Sequence, residues 1–265
     1  MRLPLVIVSV FLLLLVALAF PLVAGGPQPE PSLPNFDKRH IHSVAQGQKV
    51  AEARLKQILP SAKVEFDPIT GAPRQVTEPA FLTGPNGMGK AVSVRPTAAP
   101  ATTDPDRPLK LFLTEHPALF GHGPEVLTNA LVKQDEVGPN NGLRTKVWQQ
   151  QLDAVEIFAA LLVAHTTRRG ELVSVSSQFI PDPAGAADKA APSRASILAA
   201  PPISAGAAVV IAGANVGDEM NEGDLTPEKA TAAATAEKKQ RFRAKKVKGV
   251  IETRLIWLPD RKSVV

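Results

Sequence analysis

Between residues 42 and 59, Val44, Ala51, Leu55, Ile58 and Leu59 recur at helical spacing, with polar residues filling the positions between them. Ser43 stands where a helix needs a cap, and Pro60 cannot prolong the helix, so an amphipathic helix is predicted over this stretch. The period then shortens. Residues 62–67 and 72–76 favour extended structure, and Pro68-Ile69-Thr70-Gly71 between them is turn chemistry, which predicts a β-hairpin. A second helical stripe, Leu109, Phe112 and Leu113, runs to His116, where Pro117 stops it; Asp104 is the expected N-cap, with Pro105 at the first helical position.

The most organised block spans 131–180. Four β-favouring runs, 131–137, 143–152, 155–166 and 171–180, are separated by turn-like breaks at 138–142, Asp153-Ala154 and 167–170. Short connections pair such strands as an antiparallel meander. The third run is apolar on both faces, Ile157, Leu161 and Val163 against Phe158, Ala160 and Leu162, and is expected to be central and covered. Beyond this block, Ser204 is expected to cap a helix reaching about Val216. Residues 230–241 read equally as a helix or a solvated segment, and 247–258 read as a strand. The expected fold class is α+β: a four-stranded antiparallel meander packed with one or two helices, then a partial α/β half, joined by long Pro/Gly-rich linkers. The boundaries are 1–24, 25–41 (flexible lead-in), 42–81 (helix plus hairpin), 82–104 (linker), 105–181 (meander domain), 182–202 (linker), 203–259 (partial second half) and 260–265.

Composition changes this picture in two places. Met1-Arg2 precedes an uncharged apolar run from Leu3 to Val23, with small residues at Ala17, Ala19, Ala24 and Gly25, so residues 1–24 read as a secretory signal peptide. An uncleaved anchor is the alternative reading. The expected localisation is secreted, extracellular or periplasmic, with membrane contact only through the signal during export. The chain has no cysteine, so no disulfide framework supports it and burial must supply its stability. A net charge of +5 is concentrated near the C-terminus.

Chemistry is sparse. Of His40, His42, His116, His122 and His165, none forms the H-E-x-x-H pair of a zinc protease. His40 and His42 would share one face of a strand but bring no third or fourth ligand. Glu115-His116 is followed by Pro117 and reads as a helix C-terminus, and His165 as a satisfied, half-buried histidine on an apolar strand. Asn86-Gly87-Met88-Gly89-Lys90 is superficially phosphate-loop-like, but Ala91 lacks the hydroxyl and no strand precedes it. There is no G-x-S-x-G elbow. The run Lys238, Lys239, Arg241, Arg243, Lys245, Lys246 and Lys248 has only Phe242 interleaved, too little for base stacking, and reads as a solvated face or a contact with an acidic protein surface rather than nucleic-acid binding. No catalytic, cofactor-binding or metal-binding residue is expected, and no cofactor.

One block carries a resemblance. The stretch Val147-Trp148-Gln149-Gln150-Gln151-Leu152-Asp153-Ala154-Val155-Glu156-Ile157-Phe158, followed by Leu161, Val163, His165, Gly170-Glu171-Leu172-Val173 and Ser176-Ser177, resembles the fungalysin/thermolysin propeptide (FTP) domain. It departs from the family pattern at Ala154, where Gly is usual, and at Glu156, where Pro is usual; both departures are expected to loosen the turn and keep the register. The helix from Ser43, the Phe66–Arg74 hairpin and the Phe81–Pro85 turn look like the N-terminal region of bacterial fungalysin-like precursors, and 202–216 is similar to the opening helix of a PepSY-like half. The resemblance implies a non-catalytic prosegment, an intramolecular chaperone and inhibitor of a zinc metalloprotease domain in cis. On this view the residues after Trp257-Leu258-Pro259, 260–265, read as an artefactual tail on a cut reading frame. The alternative is a stand-alone extracellular protein- or glycan-binding module.

Overall fold

The computed structural model describes residues 44–93, 101–229, 235–260 and 263–264. The signal segment, the lead-in with His40 and His42, Ser43, and part of the 230–241 stretch lie outside them. Helix α1 (Gln46–Ile58) buries Ala51 and Leu55, and Leu59 follows them inward, whereas Ile58 faces solvent and leaves the apolar stripe narrower than its spacing predicts. Gln48 ties the helix down: its Nε2 donates to the carbonyls of Gly71 (2.7 Å) and Leu119 (3.2 Å). The hairpin forms with strands β1 (Lys63–Glu65) and β2 (Gln75–Thr77). Asp67 anchors its turn, its Oδ1 accepting the N–H groups of Ile69 and Thr70 at 2.9 and 2.8 Å.

Helix α2 (Arg107–Glu115) starts later than the Asp104-Pro105 pair suggests. Asp106 holds the N-cap position, but its carboxylate binds Arg144 (2.8 Å) and Lys146 (2.7 Å) on a neighbouring strand instead of capping; Asp104 accepts from Asp106 N–H (2.8 Å) and Lys110 Nζ (2.7 Å). A one-turn helix α3 (Pro117–Phe120) follows, closed by Gly121 at φ +78°.

Strands β3 (Leu131–Val137), β4 (Arg144–Leu152), β5 (Val155–Thr166) and β6 (Leu172–Ser177) join the hairpin in one six-stranded antiparallel sheet, ordered β1-β2-β6-β5-β4-β3. The sheet thus has six strands rather than four, because Val76 and Thr77 pair with Val175 and Ser174. α1, α2 and α3 cover the face bearing Val76, Trp148, Leu162, Ala164 and Val175, making the main core. β5 lies inside the sheet; at its start Val155, Glu156 and Ile157 are all buried, whereas further along only one face is covered and Leu161, Val163 and His165 are half-buried on the other.

Two supposed linkers are structured. In 82–93, Leu82, Ala91 and Val92 are buried in the main core, and Leu82 N–H donates to Leu172 O at 2.7 Å. Glycine composition masked this. Gly87 has φ +74°, and a Cβ there would meet Pro108 Cα at 2.6 Å, so it serves close packing rather than flexibility. In 182–202, α4 (Pro183–Ala190) and α5 (Arg194–Ala199) form, with Asp182 capping through Gly185 N–H (2.9 Å) and Pro183 inside the first turn. Alanine's helix propensity outweighs the appearance of a linker.

The C-terminal part sets α6 (Ala205–Asn215), capped by Ser204, beside a second antiparallel sheet of β7 (Leu225–Pro227), β8 (Gln240–Ala244) and β9 (Val247–Thr253). Val209, Met220 and Phe242 form its small core. Residues 240 and 241 are therefore strand, not helix. Pro259–Asp260 (β10) pairs with Ser263–Val264 (β11).

The β4–β5 connection is a two-residue turn in which Asp153 and Ala154 both have positive φ, +53° and +60°. The departure from Gly strains the backbone and leaves the Leu152↔Val155 register in place. Ala154→Gly is expected to raise stability by about 1 kcal/mol by removing the left-handed penalty. Urea midpoints of the two proteins check this; an unchanged or lower midpoint contradicts it.

Candidate functional site

The site is built where the two sheets meet. Past the Leu161↔Gln149 pair the β4–β5 ladder breaks, resuming only at Glu156↔Gln151, so residues 157–160 on β5 stand opposite Gln150 alone. A bulge this large strips ladder bonds from both strands. Two glutamines replace them. Gln149 Nε2 shares its two N–H bonds among the carbonyls of Ile157 (2.7 Å), Gln150 (3.1 Å) and Ala160 (3.1 Å). Gln150 imitates a strand, donating to Ile180 O (2.7 Å) and accepting from Ile180 N–H (2.8 Å). Both side chains are buried, so the Gln-Gln pair is structural.

The freed edge of β5 takes a new neighbour. Trp257 bridges Ile157 in parallel, donating its N–H to Glu156 O (2.9 Å) and accepting from Phe158 N–H (2.7 Å), while its indole N–H donates to Leu152 O (3.0 Å). Trp257 packs with Val155, Ile157, Ile180 and Ala187 in the second core. Beside it, the buried Glu156 carboxylate receives Lys133 Nζ (2.7 Å) from the extra residue of a bulge in β3 and Arg254 Nη1 (2.8 Å) from the segment after β9. Burial alone raises its pKa, but those two cations outweigh it and hold the carboxyl below its ordinary range.

A cleft of about 740 Å³ opens along this junction. One wall carries Ile197, Pro202 and Ile203, from α5 and the turn into α6; the other carries Phe242, Leu255 and Trp257. Its size and apolar lining are those of a binding groove. Several polar groups on its walls are already engaged. Ser204 Oγ accepts from Ala207 N–H (2.9 Å) and bonds Glu222 Oε2 (3.1 Å), Lys238 Nζ donates to Ala199 O (2.9 Å), and Arg254 faces Glu156. A nucleophile with a base oriented by a third group is the signature of covalent catalysis, and these pairings do not build one. No known protein-family model and no curated protein matches the chain.

The residues weighed from sequence are dispersed. His116 Nε2 bonds Ala91 O (2.8 Å), pinning the 82–93 loop to the end of α2 rather than merely answering the helix dipole. His165 Nδ1 bonds Thr145 Oγ1 (2.9 Å) on the open sheet face. In the Asn86–Lys90 loop, the N–H groups of Asn86 and Gly87 donate to Arg169 O (2.9 Å) and Gly170 O (2.8 Å), so they are not turned toward a phosphate. Much of the basic run is paired: Arg241 and Arg243 with Glu228, Lys239 with Glu237, Lys246 with Glu219 O. Among the described residues no three His, Cys, Asp or Glu side chains are placed to hold a metal, and no helix is long and apolar enough to cross a membrane. Sequence marks Glu156 only as a departure from the propeptide pattern, although a lone charge inside an apolar strand is itself a signal of a buried partner; nothing in sequence points to Arg254 or the cleft.

Proposed function

We propose that the chain is the non-catalytic prosegment of an exported zinc metalloprotease, acting as intramolecular chaperone and inhibitor of the protease domain. On this reading 105–181 is an FTP-like meander domain and 203–259 a partial PepSY-like half, α6 on its small sheet. The observation that carries the proposal is the apolar cleft formed by α5, the turn into α6 and the small sheet beside Trp257: of its titratable side chains, Arg254 is paired with Glu156, Lys238 donates to Ala199 O and Glu222 bonds Ser204 Oγ, an arrangement suited to binding. Such a groove suits an extended apolar segment of a protein partner better than a small reacting molecule. Its rim is also poorly protected, because Ile197 and Ile203 are 38% and 52% exposed.

The purified chain added to a separately produced fungalysin-type protease is expected to slow peptide hydrolysis at stoichiometric ratios. The double substitution Ile197→Glu, Ile203→Glu leaves the cores intact and is expected to weaken inhibition at least about tenfold, equivalent to about 1.4 kcal/mol of binding. Absence of inhibition, or inhibition indifferent to these charges, overturns the reading.

A further inference from the structure

Five rings form a continuous chain through the main core. His116 lies 4.7 Å from Phe112, Phe112 6.0 Å from Phe120, Phe120 5.9 Å from His122, and His122 6.2 Å from Phe179, centroid to centroid. Phe112 belongs to α2, Phe120 to α3, and Phe179 to the segment leaving β6, so these rings seat both helices on the sheet. Phenylalanine at the two histidine positions would supply the ring contacts but not the bonds to Ala91 O and Gly123 O. The histidines bring something else.

His122 is only 6% exposed. Its Nδ1 lies 3.0 Å from Gly123 O, a carbonyl that can only accept, so Nδ1 carries the proton. Nε2 is then a bare acceptor, buried without a partner. A second proton would sit on Nε2 between phenyl rings with nothing to receive it, the most costly arrangement for a buried charge. His116 is coupled through Phe112, and its Nε2 is already committed to Ala91 O.

We propose that His122, assisted by His116, makes the seat of α2 and α3 an acid-sensitive latch, closed while the imidazoles are neutral and released as they become charged. The charged groups acting on the rings are Glu125 on His122 and Glu115 on His116. Both carboxylates are engaged elsewhere, Glu125 with Gly123 N–H (2.7 Å) and Glu115 with Ser93 Oγ (2.7 Å). Burial is the leading influence on both histidines and lowers their affinity for a proton, against the smaller opposing pull of those carboxylates and of the bonded carbonyls. In the unfolded chain a histidine protonates near pH 6.5. Below that pH the unfolded state binds more protons than the folded one, so stability is complete above about pH 6.5 and is lost as pH falls toward the folded-state value. Each such histidine raises the unfolding constant by up to about tenfold per pH unit within that window.

Urea unfolding of the whole chain at pH 7.5 and pH 5.0 tests the latch. The midpoint of the wild-type protein is expected to fall on acidification, and α2 and α3 to become cleavable by an added endoprotease before the sheet does. His122→Phe and His122→Asn should each keep the pH 7.5 fold and lose one histidine's share of the acid shift; His165→Gln, which removes the half-buried imidazole on the open face, measures the background. If neither variant folds, the wild-type His122 ring resonances, followed by NMR against pH, decide: a midpoint well below 6.5 that coincides with loss of α2–α3 protection supports the latch. A midpoint that does not move with pH, His122 variants with the full wild-type acid shift, or a His122 ring that titrates near 6.5 without structural change overturns it.

Discussion

Removing both cations from Glu156, in the double substitution Lys133→Ala, Arg254→Ala, is expected to lower the unfolding free energy by about 3–5 kcal/mol, the cost of an uncompensated buried charge. Glu156→Gln should cost less, about 1–2 kcal/mol, because Lys133 and Arg254 are each over a third exposed and can turn to water once the carboxylate is gone. The size of the two costs is the informative part: both fall to about 1 kcal/mol or less if the contact is merely a surface one. Acid separates the variants further. In the native protein the Glu156 carboxyl is held low, so its stabilisation is present above the unfolded value near 4.5 and is lost as pH falls below it. In the double variant only burial acts on the carboxyl and raises its pKa, so on acidification the variant should lose less stability than the parent, the histidines it shares with the parent acting equally on both. Urea midpoints at pH 7 and pH 4 read the narrowing gap. Parallel curves for the two proteins would rule out the buried pair.

That pair matters because it spans the two sheets. Lys133 comes from the outermost strand of the large sheet, Arg254 from the end of the small one, and Trp257, three residues on, is hydrogen-bonded to β5. The carboxylate therefore ties the segment bearing Leu255 and Trp257, one wall of the cleft, to the large sheet. A partner that docks in the cleft would find it preformed, and preorganised walls reduce the ordering cost of binding.

Local rules made much of the frame legible. Alternation and turn chemistry identified β3 to β6, Ser204 identified the start of α6, and the 62–76 hairpin was visible in Pro68 and Gly71. The two linker expectations fail for one cause: glycine and alanine composition resembles flexibility. Gly87 is a glycine because Pro108 leaves no room for a Cβ, and Ala186 and Ala187 are small because α4 packs against the second core, yet glycine and alanine in sequence look like linker. The hairpin's pairing with β6 joins residues about a hundred positions apart, and nothing local encodes it. The cleft was invisible for the same reason, since its walls come from α5, β8 and the segment around Trp257, and no short window of sequence contains them.

The Gln149-Gln150 pair shows how a short motif can be legible as a pattern and opaque as a cause. Gln150→Leu keeps the shape and removes the amide, leaving the Ile180 N–H and C=O buried and unpaired; at about 1–3 kcal/mol for each orphaned group, a loss of about 2–6 kcal/mol is expected. Gln149→Leu should cost less, because it withdraws a donor from carbonyls only, and an under-satisfied carbonyl is tolerated better than an orphaned N–H. Equal costs, or a milder effect at Gln150, would contradict the strand-mimic role. The consequence reaches the cleft. Ile180 leads through Asp182 into α4, whose Ala187 supports Trp257, so Gln150→Leu should also weaken whatever the groove binds, while Gln149→Leu, acting inside the bulge, should leave that binding closer to native.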